Sequence, residues 1–163
     1  METKTPMSPV IRANWILATL SLLLGLLLWL GASREGTSYP PLTRLAASDI
    51  KRVVIEKEGR IIEHLSRSEA GWFSDSLQAG VEDKEWIDHL LHIAELPSLQ
   101  RFPVPANPAP FGLDRPGYRL RLDDVLLEWG GLEPLRRRRY VRVGNQIHLI
   151  SDGYTHHLRA AKE

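Results

Sequence analysis

Hydrophobic and polar positions follow three rhythms along this chain, and each predicts a different element. The first is an unbroken apolar run: between Arg12 and Arg34 lie 21 residues without a charge, nine of them Leu. At about 1.5 Å per helical residue they span about 31 Å, one bilayer core. Backbone amides in hydrocarbon must bond within their own segment, so the run predicts a helix, with Trp15 and Trp29 near the two interfaces. A cleaved secretory signal is the rival reading, since Gly31, Ala32 and Ser33 follow the run, although signal cores are typically shorter, about 7 to 15 residues. Under either reading the rest of the chain is exported.

The second rhythm is strand-like. Residues 50–57 and 60–65 are β-branched runs around Glu58-Gly59, a hairpin signal, and Gly71-Trp72-Phe73 predicts a third short strand. A helical spacing follows over 81–96, with Trp86, Leu90 and Ile93 on one face and Ile87, Leu91 and Ala94 alongside. Glu82 or Asp83 can cap its start, and Pro97 stops it. Six prolines within 97–116 then require an extended stretch outside any central ladder. Strands return at 118–122, 125–129, 140–143 and 146–150, with turns at Asp123-Asp124, Gly130-Gly131 and Gly144-Asn145. The order predicts an α+β protein: an N-terminal single transmembrane helix, then a small, mainly antiparallel sheet with one packed helix.

The domain reading is therefore residues 1–12 as a cytoplasmic N-terminus, 13–33 as the transmembrane helix, 34–47 as a juxtamembrane linker rich in Gly, Ser, Thr and Pro, and 48–163 as the exported domain. Orientation follows from Lys4 and Arg12 before the helix, against Arg34 beside Glu35 after it. In a Gram-negative bacterium this places the chain in the cell inner membrane as a single-pass protein with a periplasmic domain. Within the helix, Ser21 and Gly25 have the small-xxx-small spacing that lets a partner helix approach closely.

Composition narrows the chemistry. The chain has no Cys, which excludes disulfides, a thiol nucleophile and Cys-ligated zinc. It contains neither a Gly-x-Ser-x-Gly elbow nor a Gly-x-x-x-x-Gly-Lys loop. His89 and His92 stand three apart and His156-His157 are adjacent, but no acidic residue completes a metal-ligand spacing. Asp123-Asp124 read as turn chemistry. No catalytic, cofactor or metal residues are assigned, and the chain is read as a non-enzyme.

Charge is polarised along the sequence. Residues 33–100 carry 8 Lys and Arg against 12 Asp and Glu, net −4, and residues 101–163 carry 11 against 7, net +4. Strand alternation turns Arg119 and Arg121 outward together, and Arg142 opposite Val141 and Val143. With Arg136, Arg138 and Tyr140 they form a candidate partner or anion-binding face. Near-zero overall charge and export argue against nucleic acid as a partner. The expected partners are the lipid bilayer and a membrane or periplasmic protein. The alternative is an anionic lipid- or glycan-binding module tethered to the membrane.

One set of residues carries a family resemblance over about 48–155: the hairpin at Gly59, Gly71-Trp72, the helix ending in a Leu-rich turn, Phe111-Gly-Leu-Asp-Arg-Pro116, and Tyr140-Val with Ile147-His-Leu-Ile150. This order resembles a bacterial family of membrane-anchored domains of unknown function, some of them encoded beside gliding-motility-type ABC transporter components. The resemblance implies an N-terminal membrane helix, a small α+β unit and docking onto a larger envelope or transporter-type assembly. It implies no catalytic residues. In the most specific run, Gly112 allows a tight turn, Asp114 can bond nearby amides and Pro116 fixes the path into the next strand.

Overall fold

The computed structural model of the chain describes residues 9–32, 39–135 and 137–161. They fall into two compact units, one ending at Ser38 and one starting at Tyr39. The first contains helix α1 (Pro9–Ala32), 24 residues long and apolar around its whole circumference. Proline suits its first turn because the missing N–H has no intrahelical partner there. Side chains are described at 14, 15 and 17–27, and the seven leucines at 17, 20, 22, 23, 24, 26 and 27 are all exposed. Among the described residues no helix is long and apolar enough to cross a membrane; the rest of the 13–33 run, with residues 1–8 and 33–38, lies outside the described side chains.

The second unit is one nine-stranded sheet in which every pairing is antiparallel. Its strands are β1 (Arg52–Lys57), β2 (Arg60–Ser68), β3 (Gly71–Ser74), β4 (Ala79–Gly80), β5 (Gln100–Pro103), β6 (Tyr118–Leu122), β7 (Val125–Leu132), β8 (Arg138–Val143) and β9 (Gln146–Ser151). In space they run β4-β3-β2-β1-β6-β7-β8-β9-β5. Glu58 and Gly59 both take positive φ, 50° and 79°, the geometry that lets a two-residue turn match strand twist. The proline stretch does hold an edge strand: β5 pairs with β9 and ends at Pro103, where solvent rather than a further strand meets the missing N–H.

Helix α2 (Lys84–His92) is shorter than the expected 81–96, because the chain tightens into a 3-10 turn at Ile93–Glu95 before Pro97. The Asp83 carboxylate caps it, accepting the Trp86 amide at 2.9 Å. Trp86, Ile87, Leu90 and Leu91 bury against Val53, Ile55 and Leu65 and against Leu120, Leu122, Leu127 and Trp129 on one face of the sheet. Each fully buried aliphatic side chain contributes about 1.5–3 kcal/mol relative to exposure, so this face holds the fold together.

The segment expected to be a linker joins the fold earlier than Ser48. Leu42 and Thr43 are buried, and their amides donate to the carbonyls of Leu96 and Ala94 at 2.8 and 2.9 Å. Carbonyls at a helix end need such partners, and the Leu42 and Thr43 amides supply them just after Pro40-Pro41, which have no N–H of their own. The chain's last part closes the same face: Leu158 and Ala161 are buried, and the Trp86 indole donates to the His157 carbonyl at 2.8 Å.

Strand β7 runs through Gly130-Gly131 to Leu132 rather than stopping at them, with a bulge between Trp129 and Leu132. The reason is contact. A Cβ on Gly130 would lie 2.3 Å from the Phe111 carbonyl oxygen, and one on Gly112, at φ +66°, would lie 2.6 Å from the Gly131 amide. The 3-10 turn Ala109–Phe111 with Gly112 thus lies backbone to backbone on β7, which only glycine permits. Phe111 meets Tyr140 and Phe102 at ring separations of 5.0 and 5.4 Å, covering the far end of the second sheet face. The Asp114 side chain is exposed and makes no hydrogen bond among the described residues, so the expected turn bond at this residue is not made.

Candidate interaction face

At one end of the sheet face away from α2, the 109–113 turn lies on β7 at Gly130-Gly131, with Phe111 against Tyr140 of β8 and Phe102 of β5. Among the described residues the rest of this face, over β2, β1, β6 and the start of β7, is open. Antiparallel register sets what it displays. Glu56 on β1 stands opposite Arg119 on β6, Arg119 opposite Glu128 on β7, and Glu128 opposite Arg142 on β8. Their side chains join in that order: Arg119 Nη1 to Glu56 Oε1 at 2.7 Å, Arg119 Nε to Glu128 Oε1 at 3.2 Å, and Arg142 Nε to Glu128 Oε2 at 3.3 Å. Opposite charges on directly facing residues are the sheet's counterpart of helical i, i+4 pairs. The bonds to Glu56 and Glu128 raise the Arg119 pKa further above its already high value.

The sequence-derived basic set is therefore only partly together. Arg119, Arg121 and Arg142 share this face, with Arg119 and Arg142 engaged by carboxylates. Arg121 stands opposite Val54 and Leu126, is exposed, and has no ion pair among the described residues. Tyr140 belongs to the aromatic cluster with Phe102 and Phe111. Arg138 begins β8 and is half-buried, while Arg136 lies outside the described residues. Ser21 and Gly25 are exposed one turn apart on α1, with open space where a Gly25 Cβ would point.

Three titratable groupings escaped the sequence reading. Glu63 is 1 % exposed, on the core face beside Leu65. Glu63 lies opposite Ile55 and two residues before Leu65, so alternation places it on the core face, and the register shift just past it leaves Ile62 as the extra residue. Burial works to raise its pKa, but hydrogen bonds from Ser76, the Ala161 amide, Ser74 and the His64 amide hold it below the usual glutamate value. His64 pairs with Asp75 at 2.6 Å beside a shallow depression of about 460 Å³ lined by Val54, Ile62 and Ser76. On the opposite face, His148 is buried and its Nδ1 lies 2.9 Å from the Ser98 hydroxyl. The two histidine pairs lie on different sides of the sheet and do not converge on a common substrate position.

His89 and His92 turn to different neighbours. His92 approaches Glu95 at 3.6 Å, whereas the His89 ring meets His157 at 4.7 Å and His157 meets His156 at 3.8 Å. Among the described residues no group of three or more His, Cys, Asp or Glu is placed to hold a metal ion. No family model, curated protein or solved structure matches the chain. Within Phe111–Pro116, Phe111 and Gly112 make the close backbone contact with Gly130 and Gly131 of β7.

Proposed function

We propose that this chain is a non-enzymatic, single-pass protein of the bacterial inner membrane. In this reading α1 is the anchor, its N-terminus is cytoplasmic, and the unit from Tyr39 onward is periplasmic. That domain docks through its open sheet face onto a larger envelope or transporter-type assembly. The observation that supports the anchor is the pairing of an apolar-all-round helix, with its leucines exposed, and a second unit whose core is complete without it. A helix apolar on every side needs an apolar surrounding, which a bilayer provides. Docking draws its support from Arg121 with Val54 and Leu126, an unpaired cation set among half-buried apolar side chains on an uncovered face.

The test is a mild-detergent pull-down of the tagged full-length protein at native expression, with mass spectrometry of what co-purifies. Stoichiometric membrane partners lost on Arg121→Glu are the expected result. Arg121 is the clean probe, because Glu at position 119 or 142 would also set a carboxylate against Glu128. A protein recovered alone, or an assembly indifferent to Arg121→Glu, rejects docking through this face.

A further inference from the structure

The β7–β8 hairpin ends in a turn whose composition is unlike the rest of the domain surface. Leu132 is 51 % exposed and Leu135 is 87 % exposed, more than any other large hydrophobic residue described, α1 included. Around them the sequence reads Glu133-Pro134-Leu135-Arg136-Arg137-Arg138, three arginines against one glutamate. The turn is a built structure. The Glu133 amide donates to the Arg138 carbonyl at 2.7 Å, and the Asp152 amide donates to the Arg137 carbonyl at 3.2 Å. Arg137 holds a positive φ of 49°. Below the turn, Arg139 braces the hairpin through Asp152 and the Gly130 carbonyl, so this arginine is engaged inward while Arg137 is exposed.

We infer that this turn is a membrane-contact element: Leu132 and Leu135 enter the headgroup–acyl boundary of an anionic bilayer, and the adjacent arginines bind its phosphates. Two aliphatic side chains at the end of a hairpin form a narrow wedge, and a fluid bilayer admits a wedge without a matching pocket. Apolar residues beside cations are the combination that binds such interfaces, through buried apolar area plus attraction to anionic lipid. Arginine suits phosphate because its planar fork donates two bonds at once, and its stem lies against apolar surface while its head stays polar. The inference rests on the reading that α1 holds the chain at a bilayer, and it assigns the lipid contact to the hairpin turn rather than to the Arg119–Arg142 face, where Arg119 and Arg142 are already engaged by Glu56 and Glu128.

Because the chain has no cysteine, single labels can be placed cleanly. The full-length chain carrying Leu135→Cys, or Asp124→Cys at the opposite end of β7, is labelled with an environment-sensitive dye. It is then reconstituted into vesicles of phosphatidylcholine with or without phosphatidylglycerol. At position 135 the expected result is a blue shift and at least about a twofold quenching by lipid-borne nitroxide in the anionic vesicles, reduced by Arg137→Glu and by high salt, with position 124 unaffected. A label-free measurement guards against insertion driven by the dye: anionic vesicles should protect the arginine run of the unlabelled chain from trypsin, and Leu132→Ser/Leu135→Ser should abolish the protection. A chain that floats with the vesicles while position 135 stays water-like and the run stays cleavable overturns the inference, and would fit a soluble protein partner instead. A chain that fails to float rejects the membrane reading itself.

Discussion

The Glu63 carboxylate accepts the Ala161 amide at 2.8 Å, joining the second strand to a residue 98 positions later. The same carboxylate accepts from Ser74 and Ser76. Its acceptor sites are thus filled by donors, and Glu63→Gln places an amide donor among them. That change should lower unfolding free energy by about 1–3 kcal/mol in urea titrations at neutral pH. The sign in pH follows from the depressed folded pKa: the contribution is complete above the unfolded value of about 4.3 and is lost as pH falls through the folded value. Wild type and Glu63→Gln should therefore converge in acid, and a constant gap down to pH 3 would count against the assignment.

Gly130 and Gly112 make a second, independent prediction. Gly130→Ala sets a methyl 2.3 Å from a backbone oxygen that cannot rotate away, so the 109–113 turn must lift from β7. A loss of about 1–3 kcal/mol is expected, with brighter Phe111 and Tyr140 exposure to solvent probes. Gly153→Ala, where a Cβ meets open space at ordinary φ, should stay within about 0.5 kcal/mol of wild type.

These two sites mark what was legible in the sequence. The strand pairs around Glu58-Gly59 and Gly144-Asn145, the helix with its Asp83 cap, and the Asp123 turn follow from local rules, and each appears. Asp123 adds a bond that a turn reading omits, its carboxylate accepting the Arg52 amide at 2.9 Å. What escaped depends on distant partners. Gly130-Gly131 reads locally as a stop, and only the arrival of Phe111–Gly112 makes it a continuous, bulged strand. Glu63 shares the parity of Leu65, but the donors that let a carboxylate be buried there, Ser74, Ser76 and the Ala161 amide, come from later parts of the chain. Arg119 and Arg142 read as a basic face until pairing sets Glu128 between them and Glu56 beside Arg119.

That charge ladder predicts unequal effects from its two carboxylates. Glu128 has a side chain only 13 % exposed and serves both guanidiniums, whereas Glu56 is 27 % exposed and serves one. Exposed pairs of this kind contribute about 0–1 kcal/mol, so Glu56→Gln should be nearly silent. Glu128→Gln leaves two cations facing each other and should cost about 1–2 kcal/mol, relieved in part by adding Arg142→Gln. Equal costs for the two single variants would mean that Glu128 does not bridge.

The acid response at milder pH should belong to His148. The residue is 6 % exposed, its ring is bonded to Ser98, and burial first, then the Arg101 charge, pushes its pKa below the ordinary value. His157 moves the same way through burial, with His156, His89 and Arg159 adding to it. An unfolded histidine near 6.5 takes up a proton before either folded one does, so protons favour unfolding and stability declines as pH falls below about 6.5. The decline levels off once pH passes below the folded values, and each group can contribute a slope of at most about 1.4 kcal/mol per pH unit. His148→Asn keeps a polar atom toward Ser98 but cannot titrate. Its urea midpoint should therefore vary less than that of wild type between pH 7 and 5, while the loss to which Glu63 contributes at lower pH remains. An unaltered slope between pH 7 and 5 would assign that window to His157, and His157→Asn would then flatten it.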